Sequence, residues 1–112
     1  MSWIGVDLDG TLAKYDGWRG VQHIGEPIEP MLFRVRQWLN DDKEVRIFTA
    51  RVGPQPSETE RLAALAAIEA WSLEHIGQVL PVTATKDYSM HELWDDRAIQ
   101  VEPNTGRRVD GK

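Results

Sequence analysis

The chain has 112 residues and no cysteine, which bounds it at one domain and excludes disulfides, a thiolate nucleophile and Cys-ligated zinc. Its 13 Lys and Arg against 18 Asp and Glu give a net charge of -5, which argues against a bulk nucleic-acid-binding surface but not against a small phosphorylated ligand held by local cations. No apolar run approaches the roughly 20 residues of a membrane span. The first residues lack the basic region and apolar core of a secretion signal, and the cysteine-free composition is compatible with a reducing, cytoplasmic setting.

Trp3-Ile4-Gly5-Val6-Asp7-Leu8 is a short apolar run entering an acidic, glycine-containing turn, the pattern of a buried strand with its carboxyl end at Asp7. Residues 13–29 hold Gly17, Gly20, Gly25 and Pro27 among aromatic and charged side chains and read as an irregular loop or flap. Pro30 suits the first position of a helix, and Met31, Phe33 (or Leu32), Val35, Trp38 and Leu39 recur at helical spacing up to Asn40. Residues 43–48 form a second predicted strand, stopping at Thr49. Ser57-Glu58-Thr59-Glu60 carries a capping-box signature, and the apolar residues that follow predict a long helix from Glu58 to Ile76, stopped by Gly77. Residues 80–85 read as a third strand running into Lys86, and 91–94 as a fourth that ends at Asp95-Asp96. Residues 98–101 suggest a fifth strand, Pro103-Asn104-Thr105-Gly106 a turn, and 107–112 a polar tail expected to fray.

Strands alternating with helices imply an α/β domain, a Rossmann-like parallel sheet flanked by helices, with ligands bound beyond the carboxyl ends of the strands. The polar residues at those ends are Asp7, Asp9, Thr49, Lys86, Asp95 and Asp96. Separate segments thus deliver carboxylates, a hydroxyl and an ammonium to one edge. Asp7 and Asp9 lie two apart, so in extended chain both carboxylates face one small volume. An ionised aspartate attacks phosphorus only where the phosphate's own charge is offset, and a hard divalent cation does this with carboxylate and carbonyl oxygens as ligands. Thr49 would donate a hydroxyl to a phosphate oxygen and Lys86 would place a point charge there.

Asp7-Leu8-Asp9-Gly10-Thr11-Leu12 resembles the DxDGT(L/V) first motif of the haloacid dehalogenase superfamily of phosphatases. Phe48-Thr49-Ala50-Arg51 resembles its second motif, Lys86 its third-motif lysine, and Trp94-Asp95-Asp96 its fourth-motif acidic pair. The motifs stand in the family's order, and the resemblance spans residues 3–97. It implies a phosphomonoester hydrolase in which Asp7 forms an aspartyl-phosphate and Asp9 is the general acid and base. It also implies a phosphate held by Gly10, Thr49, Ala50, Arg51 and Lys86, and Mg²⁺ among Asp7, Asp9 (through its carbonyl), Asp95 and Asp96. Arg51 by itself reads equally as a phosphate grip or a solvent-facing side chain.

Neither gap between motifs holds a separate cap domain, so the resemblance is to a small capless member of the family. An open site suits a phosphorylated polymer end or a phosphorylated small molecule, and a homo-oligomer is one way to close it. A phosphotransferase would use the same residues, and a receiver-like or non-catalytic phosphate-binding module is the rival class; in receiver domains, however, the acidic pair precedes the phosphorylated aspartate. Trp38 and Trp71 fall on apolar helix faces, and Trp3 and Trp94 in strands, all reading as core. Trp18 and Tyr15 follow the first motif and are candidates to rim the pocket and stack on a substrate ring. His23, His75 and His91 show no metal-ligand spacing.

Overall fold

The computed structural model describes residues 2–54 and 56–111. Four parallel strands, β1 (Trp3–Asp7), β2 (Val45–Phe48), β3 (Val82–Thr83) and β4 (Met90–Trp94), form one sheet in the order β3-β2-β1-β4. The helix α1 (Glu29–Asn40) joins β1 to β2, and α2 (Glu58–His75) joins β2 to β3. The fold is therefore α/β and Rossmann-like, with β1 inside the sheet and the earliest acidic residues at its carboxyl end.

Strand register explains where the core lies. Ile4 pairs with Val45 and Val6 with Ile47, so these four share one face. They form a single apolar cluster with Met31 and Val35 of α1 and Ile68 and Trp71 of α2, so both helices cover that face. Trp94 pairs with Val6 and joins the same side, tilted against Trp38 of α1 at 5.2 Å between ring centroids. Among the described residues the opposite face carries no helix, because residues 84–89 lead from β3 to β4 without one. There Trp3 is covered instead by the Arg46 guanidinium, 4.4 Å from its ring centroid, and its Nε1–H donates to Asp87 at 2.8 Å. Gly5 leaves room for that indole: a Cβ on Gly5 would stand 3.2 Å from the Trp3 ring and 3.3 Å from Leu93 and Met90 side chains.

The helices start where local chemistry says they should. Pro30 occupies the first turn of α1. At α2 the Ser57 hydroxyl accepts from the Glu60 N–H while the Glu60 carboxylate accepts from the Ser57 N–H, so the capping box is complete. Trp3 and Trp71 are buried, and Trp38 and Trp94 are packed partly buried against the core. Leu62 and Phe33 are exposed, so Leu32 rather than Phe33 faces inward on α1.

The predicted fifth strand is not formed. Val101 makes only an isolated antiparallel bridge, to Arg108. The segment predicted to fray is folded back in that bridge, with Glu102 N–H donating to Arg107 O at 2.8 Å and Val109 N–H to Gln100 O at 2.9 Å. Its turn puts Asn104 and Gly106 at φ of 65° and 75°, a left-handed conformation these two residue types accept. Lys112 lies outside the described residues.

The flap leaves the sheet edge as a closed loop rather than a free one. Ala13 pairs antiparallel with Pro27, Lys14 N–H donates to Glu26 O, and the Trp71 indole N–H donates to Gly25 O at 3.0 Å. Trp3→Ala removes a fully buried indole packed over Gly5, and it is expected to lower unfolding free energy in denaturant titration by about 3–5 kcal/mol without loss of helical circular dichroism.

Candidate active site

At the carboxyl end of β1 the chain wraps around one carbonyl. Leu8 O accepts from the N–H groups of Thr11, Leu12 and Ala13, at 3.2, 3.0 and 2.9 Å. This tight turn lets Asp7 and Asp9 project into the same cleft. Gly10 makes the turn possible twice over. Its φ is 90°, and a Cβ there would stand 2.5 Å from an Asp96 carboxylate oxygen. Gly10 N–H is committed to Ala13 O at 2.8 Å, so this expected phosphate-binding residue serves the turn and the approach of Asp96.

Thr11 ties the first turn to the last acidic pair. Its hydroxyl lies 3.3 Å from an Asp7 oxygen and 3.0 Å from an Asp96 oxygen, and it accepts from the Asp96 N–H at 2.9 Å. Asp7, Asp95 and Asp96 consequently each offer a carboxylate oxygen within 4.8 Å of the others. Burial pushes the Asp7 carboxyl up to about 7, helped by a hydrogen bond with Asp96 and by the charges of Asp95 and Asp96. Three hard oxygen donors gathered at one point match the ligand chemistry of a hard divalent cation such as Mg²⁺. The Asp9 carboxylate stands outside this cluster.

Asp9 faces a cation instead. Arg51 Nε donates to Asp9 Oδ2 and Arg51 Nη2 to Asp9 Oδ1, both at 2.8 Å. The same guanidinium donates to the carbonyls of Val21 and His23 in the flap and lies 4.9 Å from the Trp18 ring centroid. Its side chain is only 5% exposed. Arg51 is thus neither the solvent-facing side chain nor the free phosphate grip that the sequence suggests; it fastens Asp9 to the flap.

A short 3₁₀ turn, Ala50–Val52, follows β2. Thr49 caps it: its buried hydroxyl oxygen accepts from the Arg51 N–H at 3.2 Å, which leaves the hydroxyl proton to donate elsewhere. Ala50 stands beside it on the cleft wall.

Asp7, Asp9, Thr49, Ala50, Arg51, Asp95 and Asp96 all line one open cleft of about 950 Å³, and Tyr15 and Trp18 stand on its flap side. Lys86 does not line it; it is exposed on the link after β3. Arg97 does line it, and among the described residues its guanidinium makes no ion pair or hydrogen bond. Sequence reasoning missed both Arg97 and the bridging part played by Thr11. The signal for Arg97 was a cation directly after a strand-end acidic pair.

No family model, curated protein or solved structure matches the chain. Among the described residues, no helix is long and apolar enough to cross a membrane.

The crowding at Asp7 has a measurable sign. Folding raises this carboxyl from its ordinary 3.8 to about 7, so the folded state binds the extra proton between those values. Stability from this group is present at low pH and lost as pH rises through that window. In metal-free buffer, Asp7→Asn is expected to gain thermal stability over the parent progressively from about pH 4 to about pH 7, followed by calorimetry. Mg²⁺ is expected to stabilise the parent most at the upper end and Asp7→Asn least.

Proposed function

We propose that the chain is a phosphomonoester hydrolase that works through an aspartyl-phosphate on Asp7, with a divalent cation, Mg²⁺ by preference, as cofactor. The observation that carries this reading is the division of the acids: Asp7 grouped with Asp95 and Asp96, Asp9 held two residues away by Arg51, all in one cleft. The motif order, which resembles the haloacid dehalogenase superfamily, supports the same reading.

In the first step an Asp7 carboxylate oxygen bonds to phosphorus while the ester P–O bond breaks, and Asp9 gives its proton to the departing oxygen. In the second, water bonds to phosphorus, its proton goes to Asp9, and the bond from the Asp7 oxygen to phosphorus breaks, releasing phosphate. Each carboxylate oxygen has two lone-pair sites, so the paired hydrogen bonds from Arg51 leave room on Asp9 for the proton it moves. The Thr49 hydroxyl and the free Arg97 guanidinium are the donors available to the phosphoryl oxygens, Arg97 in the part the sequence suggested for Lys86. Asp7, Asp95 and Asp96 would hold the cation, which when bound offsets phosphate charge and favours the ionised form of Asp7.

With an aryl phosphate and Mg²⁺, phosphate release is expected; chelator should stop it and fresh Mg²⁺ restore it. Asp7→Asn should abolish turnover, and Asp9→Asn should slow it by about a hundred- to ten-thousand-fold while phosphoenzyme accumulates. Near-normal turnover by Asp7→Asn would overturn the assignment. Arg97→Ala is expected to raise KM about 10-fold or more, and Lys86→Ala to change it less, in the same assay.

A further inference from the structure

We propose that the substrate is a phosphate ester whose alcohol portion carries a planar ring, a nucleoside monophosphate being the representative chemistry, and that Trp18 and Tyr15 hold that ring. This rests on the hydrolase reading above and names its substrate class.

Trp18 is not a loose surface aromatic. The Arg51 guanidinium lies 4.9 Å from its ring centroid, and Arg51 is itself fixed by both oxygens of Asp9 and by two flap carbonyls. The indole is therefore backed by a buried cation that also holds the acid beside the reacting centre. Yet Trp18 remains 57% exposed and Tyr15 51% exposed, and both line the cleft that contains Asp7 and Thr49. Aromatic surface left open on a pre-set support is what a stacking ligand needs, since the ordering of the side chain has already been met in the free protein.

The remaining wall agrees. Val21, Phe48 and Pro56 are apolar, and Arg97 stands in sequence directly after the acidic pair. The cleft thus offers carboxylates and a free guanidinium to a phosphate and its cation, while the flap residues that line it, Tyr15, Trp18 and Val21, are uncharged. Its volume of about 950 Å³ far exceeds a phosphate group and accommodates a sugar and a base.

Adenosine 5′-monophosphate and ribose 5-phosphate share the phosphorylated ribose and differ at its C1, adenine in one and a hydroxyl in the other, so the pair reports on the ring. Calorimetric titration of Asp7→Asn with each in Mg²⁺ is expected to show the nucleotide binding about 10-fold tighter, the scale of one base stacked on an aromatic side chain. Adding Trp18→Ala should erase the difference, and Trp18→Phe should keep most of it, which separates a lost stack from a disturbed flap. Equal binding of the two ligands, or a preference that survives Trp18→Ala, would overturn the proposal. Turnover of both by the parent tells the two readings apart. Equal hydrolysis leaves the phosphatase standing and removes the ring site. A nucleotide preference in binding with no phosphate released from either leaves the ring site standing and removes the phosphatase.

Discussion

The close approach of Asp96 to the end of β1 is the contact on which this site depends. Like charges do not gather unaided, and here the gathering has identifiable causes. Gly10 removes the Cβ that would collide with the Asp96 carboxylate, and Thr11 supplies a hydroxyl that bonds toward Asp7 and Asp96 and also accepts from the Asp96 backbone. β4 lies directly beside β1, so the segments carrying these acids leave adjacent strands at the same edge. Burial does most to raise the Asp7 carboxyl, and the remaining repulsion from Asp95 and Asp96 adds to it. On the proposed reading a cation would relieve that crowding, so its affinity and the stability of the fold would draw on the same three side chains.

Two aspartates two residues apart are given opposite surroundings. Asp7 meets other acids in a half-buried corner, whereas Asp9 meets a buried guanidinium with paired hydrogen bonds. On the proposed reading this is the separation of nucleophile from proton carrier, achieved by neighbours rather than by residue type. Arg51 makes it by spending its donors on Asp9 and on flap carbonyls. That is why the cation most obvious in the second motif is not the one left free at the cleft.

How much of this was legible in the sequence follows from how local each cause is. β1 was readable because a strand inside a parallel sheet is apolar on both faces and turns polar where it ends. The start of α2 was readable because the Ser57–Glu60 box is closed within four consecutive residues. The gathering of Asp7, Asp95 and Asp96 followed from strand ends sharing an edge. Arg51 was not readable, since its partner lies 42 positions away and the choice between Asp9 and solvent is made by the flap's path. Lys86 was misplaced because residues 84–89 form no helix and carry the chain away from the cleft instead of covering the second face of the sheet. The terminal hairpin was missed because it is closed by two backbone bonds across a turn, Glu102 N–H to Arg107 O and Val109 N–H to Gln100 O, which leave no periodic signature.

The flap and the acid are mechanically one unit. Arg51 connects three things at once: its backbone N–H bonds the Thr49 hydroxyl, its guanidinium holds Asp9, and its central carbon lies over the Trp18 ring. The flap in turn is fixed to the helical layer through Trp71 and Gly25, where a side chain on Gly25 would collide with the carbonyl of Lys14. Any ligand that presses on Trp18 therefore acts on the residue that positions Asp9. On the proposed reading, recognition of the leaving group and delivery of its proton run through the same guanidinium. On that reading, the contacts Arg51 makes with Asp9 and Trp18 make the chemistry depend on how the substrate fits the flap.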